Sequence, residues 1–371
     1  MNPTYTIVAD QHIPFISDIF SELGKLILIP GQSIGPETVE NADILIVRSI
    51  SKVNRHLLEG SRVTFVGSAT AGLDHIDRGY LLENDITLAH APGANALSVV
   101  EYVFACLAQF ELETGSSFVE KTIGIVGAGN VGALLGRRCR ALGMNVLLCD
   151  PPRAEQEGSG SFVELPFLVE TADIISIHTP LTASGRHPTT NLLNQNLIDR
   201  MKPKSWFIHT ARGGVCDEGA LITAKKLGNI ERLALDVWEN EPTPNSESIA
   251  VADVATGHIA GYSIDAKIRG LDMIRASLMH YLGIVGPENI PVHVADTSAP
   301  SWVPDSLAQS IRQLYPILED DHRFRKAMQS KAERAKNFHA YRAEYPVRRR
   351  FGAHSTNLTI PPVWKEGLGL P

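Results

Sequence analysis

The chain has 371 residues, 44% of them hydrophobic and 20% charged, with a formal charge of −7. That length exceeds what one hydrophobic core accommodates, so two or three domains are expected, and the composition is that of a globular protein. A net negative charge without a long basic stripe argues against a nucleic-acid backbone or an anionic membrane as partner.

The four cysteines, Cys106, Cys139, Cys149 and Cys216, form no C-x-x-C pair, which fits a reducing compartment. Met1 to Asp10 lacks the basic start and apolar run of a signal peptide. The most apolar long stretch, Leu97 to Phe110, is interrupted by Glu101 and Gln109 and is not expected to span a bilayer. The expected location is the cytoplasm.

In chain order, Thr6-Ile7-Val8-Ala9 reads as a strand, followed by an amphipathic piece from Pro14 to Leu23. Ile44-Leu45-Ile46-Val47 and Val63-Thr64-Phe65-Val66-Gly67 are also strand-like. Continuous apolar runs mark strands buried on both faces of a parallel sheet. Ala94 to Phe110 reads as a long helix behind the Pro92-Gly93 break. A second series follows at 122–126, 145–149, 173–177, 206–209 and 232–235, with helical lengths between the strands. That alternation predicts βαβ units and a doubly wound sheet.

Residues 262 to 283 carry apolar positions at helical spacing. Pro291, Pro300 and Pro304 then mark an irregular linker, and Ser306 to Leu318 and Asp321 to Arg334 read as charge-rich helices. The tail is taken as a separate module, and no pattern is read from Thr356 onward. No cluster has metal-ligand spacing, so metal-free chemistry is expected.

Gly127-Ala128-Gly129-Asn130-Val131-Gly132 is a G-x-G-x-x-G that directly follows a strand and opens a helix. The first glycine permits the turn, the second admits a pyrophosphate to the backbone, and the third packs helix on strand. Asp150 ends the next strand, where a carboxylate takes ribose hydroxyls and repels a 2′-phosphate, so NAD is expected over NADP. Arg153 could accept that phosphate, though a solvated loop cation is the plainer reading.

Three further blocks carry a resemblance: Thr210-Ala211-Arg212-Gly213-Gly214, Leu235-Asp236-Val237 with Glu241-Pro242, and Gly257-His258-Ile259-Ala260-Gly261. Together with His178-Thr179-Pro180, they resemble the signatures of the D-2-hydroxy-acid dehydrogenases over residues 1 to about 285. Oxidising such an acid requires a cation for its carboxylate, a base for its hydroxyl proton, and a nearby hydride acceptor. An arginine fork grips a carboxylate bidentately. A histidine exchanges protons near neutrality, and a carboxylate on its far nitrogen fixes the tautomer.

The resemblance implies Arg212 on the substrate carboxylate, His258 as acid and base, and Glu241 orienting His258. It places Thr210, Ala211, His178, Thr179, Pro180, Asp236 and Gly261 at the dinucleotide, and Ser49, Thr70 and Tyr262 at the substrate. His75, His90 and His209 are read as structural.

Within the family, the blocks around Arg48-Ser49, Thr70, Cys149-Asp150-Pro151-Pro152 and Tyr262 resemble a branch serving pyridoxal phosphate synthesis, whose substrate is a phosphorylated four-carbon 2-hydroxy acid. The tail, with Asp320-Asp321, Phe324-Arg325, Phe338, Tyr341-Arg342, Tyr345-Pro346 and Arg348-Arg349, is similar to that branch's dimerisation module. A homodimer follows. Arg48 is the first candidate for the substrate phosphate. The Arg348–Arg350 run of a partner subunit is a second candidate, against the plainer reading of a solvated charge run.

The expected architecture is α/β. A flavodoxin-like substrate domain (1–93 with 259–286) and a Rossmann NAD-binding domain (94–258) are followed by a small α+β dimerisation module (287–371). D-3-phosphoglycerate dehydrogenase, or another D-2-hydroxy-acid dehydrogenase, is the alternative enzyme. An NAD-sensing regulatory protein is the non-enzymatic alternative.

Overall fold

The computed structural model describes residues 5–287, 289–294, 305–354 and 361–370. The chain divides into two compact units, residues 1–95 with 263–295, and residues 96–262 with 296–371.

In the first unit, β1 (Thr6–Asp10), β2 (Lys25–Ile29), β3 (Ile44–Val47), β4 (Phe65–Ser68) and β5 (Thr87–His90) form one parallel sheet in the order β2-β1-β3-β4-β5. This is the flavodoxin-like order. Successive side chains alternate between the faces, so one apolar run feeds two cores. Ile7, Ile44, Ile46 and Phe65 meet Leu271, Ile274 and Leu278 of the helix Ile264–Leu282 on one face. Val8, Leu45, Val47 and Val66 meet Leu57, Tyr80 and Leu81 on the other. Ser263 caps that helix by accepting from Ala266 N at 3.0 Å, and Gly283 ends it at φ 66°.

The second unit holds β6 (Thr122–Val126), β7 (Asn145–Cys149), β8 (Ile174–Ile177), β9 (Ser205–His209), β10 (Ile230–Leu235) and β11 (Val254–Ala255). The order is β11-β10-β9-β8-β6-β7, all parallel. The order reverses at β6, and ligands of such sheets bind beyond the carboxyl ends at that reversal. The helix Ala96–Thr114 is buried through most of its length, which explains its lack of a polar face.

The tail differs from expectation in two ways. Its described residues are helical, at Leu307–Leu314, Ile317–Ala327, Arg334–Ala343 and Pro362–Leu368, with no strand among them. Pro316 and Ser330 sit between helices, and so the expected helices at 306–318 and 321–334 are redivided. Moreover, Leu307, Ile311, Phe324, Phe338 and Phe351 belong to the same hydrophobic core as Trp206 and Phe207. Pro300, Pro304 and Thr356 lie outside the described residues. Among the described residues no helix is long and apolar enough to cross a membrane, and no group of His, Cys, Asp or Glu is placed to hold a metal.

Candidate active site

The glycine turn follows β6 directly. Gly127 has φ 87°, open to glycine at little cost, and a Cβ at Gly132 would lie 1.9 Å from Gly127 O. A Cβ at Gly129 would meet nothing within 4 Å, so the turn's second glycine faces open space at the start of the helix Asn130–Ala141. Asp150 braces this turn, accepting from Ala128 N at 2.7 Å and Arg153 N at 3.1 Å.

Arg153 is not a free loop cation. It pairs with Glu157 at 2.7 Å and also reaches Ala128 O, so the arginine that could have taken a 2′-phosphate is already engaged. Across the turn, His178 bonds Ser176 Oγ at 2.8 Å and Thr210 Oγ1 at 3.2 Å. Burial, with His209 alongside, holds the His178 imidazole well below its ordinary range. Thr179 Oγ1 is buried without a hydrogen-bond partner among the described residues. An orphaned hydroxyl beside an open glycine turn, a helix N-terminus and an acid after β7 together suit a dinucleotide.

The proposed catalytic residues come from three adjacent strands. Thr210 to Gly214 follows β9, Asp236 to Glu241 follows β10, and Thr256 to Tyr262 follows β11. A Cβ at Gly213 would lie 1.8 Å from Trp238 O, so only glycine lets the Arg212 loop approach the loop that leads to Glu241. The Arg212 guanidinium donates to Ala211 O at 2.8 Å. Glu241 Oε2 lies 2.8 Å from His258 Nδ1, and Glu241 Oε1 accepts from Trp238 N at 3.1 Å. Burial alone would raise the Glu241 carboxyl. The His258 charge and hydrogen bond, with Arg342 and Trp238 N–H behind them, instead hold it below the usual range.

His258 sits at φ 58°, a left-handed conformation costing a non-glycine residue roughly 1–3 kcal/mol. Asp236 stabilises it. Its carbonyl accepts from His258 N at 2.6 Å, and its carboxylate, 1% exposed, takes Thr256 Oγ1, Ile259 N and Ala260 N. Tyr102 extends this hub through Thr256 Oγ1 at 2.7 Å. Sequence reasoning missed this anchoring role, because nothing in Leu-Asp-Val distinguishes a buried loop anchor from a ligand. His209, 4% exposed, is pushed down to about 4 by burial.

In the first unit, Arg48 Nε is bonded to the buried Asp10 at 2.6 Å, and Ser49 is exposed. Thr70 Oγ1 is held by Ser68 Oγ at 2.9 Å and donates to Gly72 O at 3.0 Å. His75 bonds Ser68 Oγ at 3.1 Å, and burial pushes its pKa down to about 4.

In the second unit, the Tyr262 ring meets Tyr345 edge-on at 5.9 Å. The expectation for Arg348 is corrected. It is 9% exposed, donates to Ser98 O and Ala260 O, and lies 4.5 Å from the Tyr315 ring centre. It is a buried strut of its own chain, neither a solvated charge nor an arm for a partner subunit.

Residues 108–260 match the family model described as D-isomer specific 2-hydroxyacid dehydrogenase, NAD binding domain. The chain is 42% identical over 355 residues to erythronate-4-phosphate dehydrogenase of Chromohalobacter salexigens, covering 93% of this chain and 92% of that protein. It is 40% identical over 379 residues to the protein of the same name from Salinibacter ruber, covering 97% and 96%. Among solved structures, D-lactate dehydrogenase of Aquifex aeolicus complexed with NAD and lactic acid matches 75% of this chain and 96% of its own, with a TM-score of 0.61 and 24% identity. That level of likeness shows the shared two-domain fold. NAD is the cofactor of the second unit. The chain belongs to the erythronate-4-phosphate dehydrogenases, a branch of the D-isomer-specific 2-hydroxyacid dehydrogenases.

Proposed function

We propose that the chain oxidises 4-phospho-D-erythronate at C2, with NAD, to 2-oxo-3-hydroxy-4-phosphobutanoate on the route to pyridoxal phosphate. The observation that carries this is the 2.8 Å contact between Glu241 and His258 Nδ1, which leaves the opposite ring nitrogen for a substrate hydroxyl. Arg212 grips the substrate carboxylate and fixes the orientation of C2. His258 Nε2 takes the C2 hydroxyl proton, while Glu241 stabilises the imidazolium that forms. NAD, when bound, supplies the acceptor for the hydride leaving C2. The C2–H pair and the hydroxyl proton thus part in opposite directions and leave a ketone.

Gly127, Gly129, Asn130, Val131 and Gly132 hold the pyrophosphate, and Asp150 the ribose. His178, Thr179, Pro180, Thr210, Ala211 and Gly261 line the rest of the dinucleotide. Asp236 has one carboxylate lone pair left for a dinucleotide donor, since Oδ1 accepts two bonds and Oδ2 one. Arg48, Ser49, Thr70 and Tyr262 contact the substrate.

Residues 1–93 with 259–286 serve substrate binding, 94–258 serve the dinucleotide, and 287–371 serve dimerisation. The dimer rests on the resemblance alone, because the tail's apolar side chains are already covered within their own chain. The cytoplasm is the proposed location. Steady-state assays with 4-phospho-D-erythronate, 3-phospho-D-glycerate, D-erythronate and D-lactate test the activity. The first should have the highest kcat/KM, and a clear preference for 3-phosphoglycerate would reassign the substrate. A chain that binds NADH but turns over none of the four would be a sensor.

A further inference from the structure

A four-carbon acid phosphorylated at its far end brings a group of roughly −1.5 to −2 charge into a protein of net charge −7. The site therefore needs a cation beyond Arg212, and the tail brings arginines against the catalytic loop and the chain before it. Most of these are engaged. Arg325 bonds Asp321 at 2.8 Å and caps Ala252 O, and Arg334 holds Pro244 O at 2.9 Å. Arg348 is buried on Ala260 O, and Arg323 faces Asp320 at 3.5 Å.

Arg342, in the last turn of the helix Arg334–Ala343, is different. Its guanidinium lies 5.3 Å from the ring centre of Tyr262 and 5.9 Å from that of Phe338, and it is one of the charges that depress Glu241. Its Nε is buried with no hydrogen-bond partner, as are those of Arg334 and Arg348, but those two hold backbone carbonyls through their terminal nitrogens, and Arg342 holds none among the described residues. A buried donor left unmatched is unfavourable, and an incoming anion offsets that cost.

The helix carrying Arg342 is fixed against the catalytic loop. Tyr341 and Phe324 press so closely on Gly257, next to His258, that a Cβ there would come within 2.9 Å of both rings. Asp321, on the preceding helix Ile317–Ala327 that Tyr341 packs against through Phe324, accepts from Ala255 N at 2.7 Å.

We propose that Arg342 is a specificity-determining residue that binds the substrate's phosphate, so that the tail forms part of the active site of its own chain. This rests on the activity proposed above. A planar fork stacked on Tyr262 is preorganised for a phosphate, and that remote anchor helps to orient C2.

The test compares wild type with Arg342→Gln and Arg342→Lys on 4-phospho-D-erythronate and D-erythronate, with inorganic phosphate as a competing ligand. Wild type should prefer the phosphorylated acid. In Arg342→Gln the preference ratio should fall about 10- to 100-fold, and inhibition by inorganic phosphate should weaken by about 10-fold, as loss of a charged hydrogen bond implies. Arg342→Lys should restore part of both. Where Arg342→Gln melts early or does not fold, Arg342→Met keeps the apolar stem on Tyr262 and replaces it.

A preserved ratio with unchanged phosphate inhibition would overturn the inference. So would an equal loss on both acids with a shifted pH profile, which would make Arg342 a positioning residue acting through Glu241. A wild type without the preference would instead overturn the proposed activity itself, and the inference with it.

Discussion

Asp236 holds His258 by two routes. Its main-chain oxygen accepts from His258 N at 2.6 Å, and its carboxylate takes the next two backbone N–H groups, of Ile259 and Ala260. The left-handed backbone of the proposed acid–base is therefore imposed from a buried carboxylate that already accepts three hydrogen bonds. In Asp236→Asn one oxygen becomes an NH₂ that cannot accept from these donors. Leaving a buried donor unmatched should cost about 1–3 kcal/mol of stability. Thermal melting should register that loss, and kcat should fall more than KM rises. An unchanged melting temperature would mean that the carboxylate is dispensable to the loop.

His258→Ala removes the proton acceptor without touching the glycine turn. Its kcat should fall about 10²- to 10⁴-fold while NADH affinity, measured by fluorescence titration, stays within about threefold. Near wild-type turnover would move the proton transfer elsewhere.

Glu241 is held ionised by His258, and the coupling is reciprocal. Glu241→Gln removes the charge that faces the ring at 2.8 Å and favours its charged form. Oxidation needs the neutral ring, and its acidic limb should move to lower pH in the variant. Reduction needs the imidazolium, and its basic limb should move the same way. Its maximal rate should drop as well, since tautomer and orientation are no longer fixed. A profile unmoved in both directions would uncouple the two residues.

Asp150 braces Ala128 and caps the helix Pro151–Glu157, while Arg153 is held by Glu157. NAD should therefore exceed NADP in kcat/KM, and Asp150→Ala should narrow the gap mostly by weakening NAD. Losing the cap should also lower stability by roughly 0.5–2 kcal/mol. Equal use of both cofactors by wild type would contradict this assignment.

The interior strands were legible because both faces are buried. β3, β4, β6 and β8 are buried at nearly every position, and the runs at 44–47 and 122–126 coincide with the observed strands. The edge strands β2 and β5 and the short β11 escaped, since partly exposed or two-residue strands dilute the pattern.

In the site, the pairing of Glu241 with His258 came from the resemblance to the D-2-hydroxy-acid dehydrogenases, and the chemistry of an acid–base imidazole agrees with a carboxylate on its far nitrogen. The tail was not legible in this way. Its helices read only as charge-rich and its Arg348–Arg350 run as solvated, whereas Asp320, Asp321 and Arg348 are buried and bonded. No periodicity distinguishes an arginine that reaches a backbone carbonyl 88 positions away from one that faces water.

That separation has a consequence for synthesis. Arg348 secures Ala260 O, and Asp321 secures Ala255 N across 66 positions, so the loop bearing His258 is emitted long before its supports. At about 5–20 residues per second, the ribosome needs roughly 4–18 s to travel from Ala260 to Arg348. During that interval the nascent dinucleotide unit exposes surface that Phe324 and Phe338, and after it Phe351, come to cover. The enzyme is thus finished from its far end. Chains stalled before Arg348 should bind trigger-type holdases and show no turnover, although every residue of the Arg212, Glu241 and His258 set has already been made.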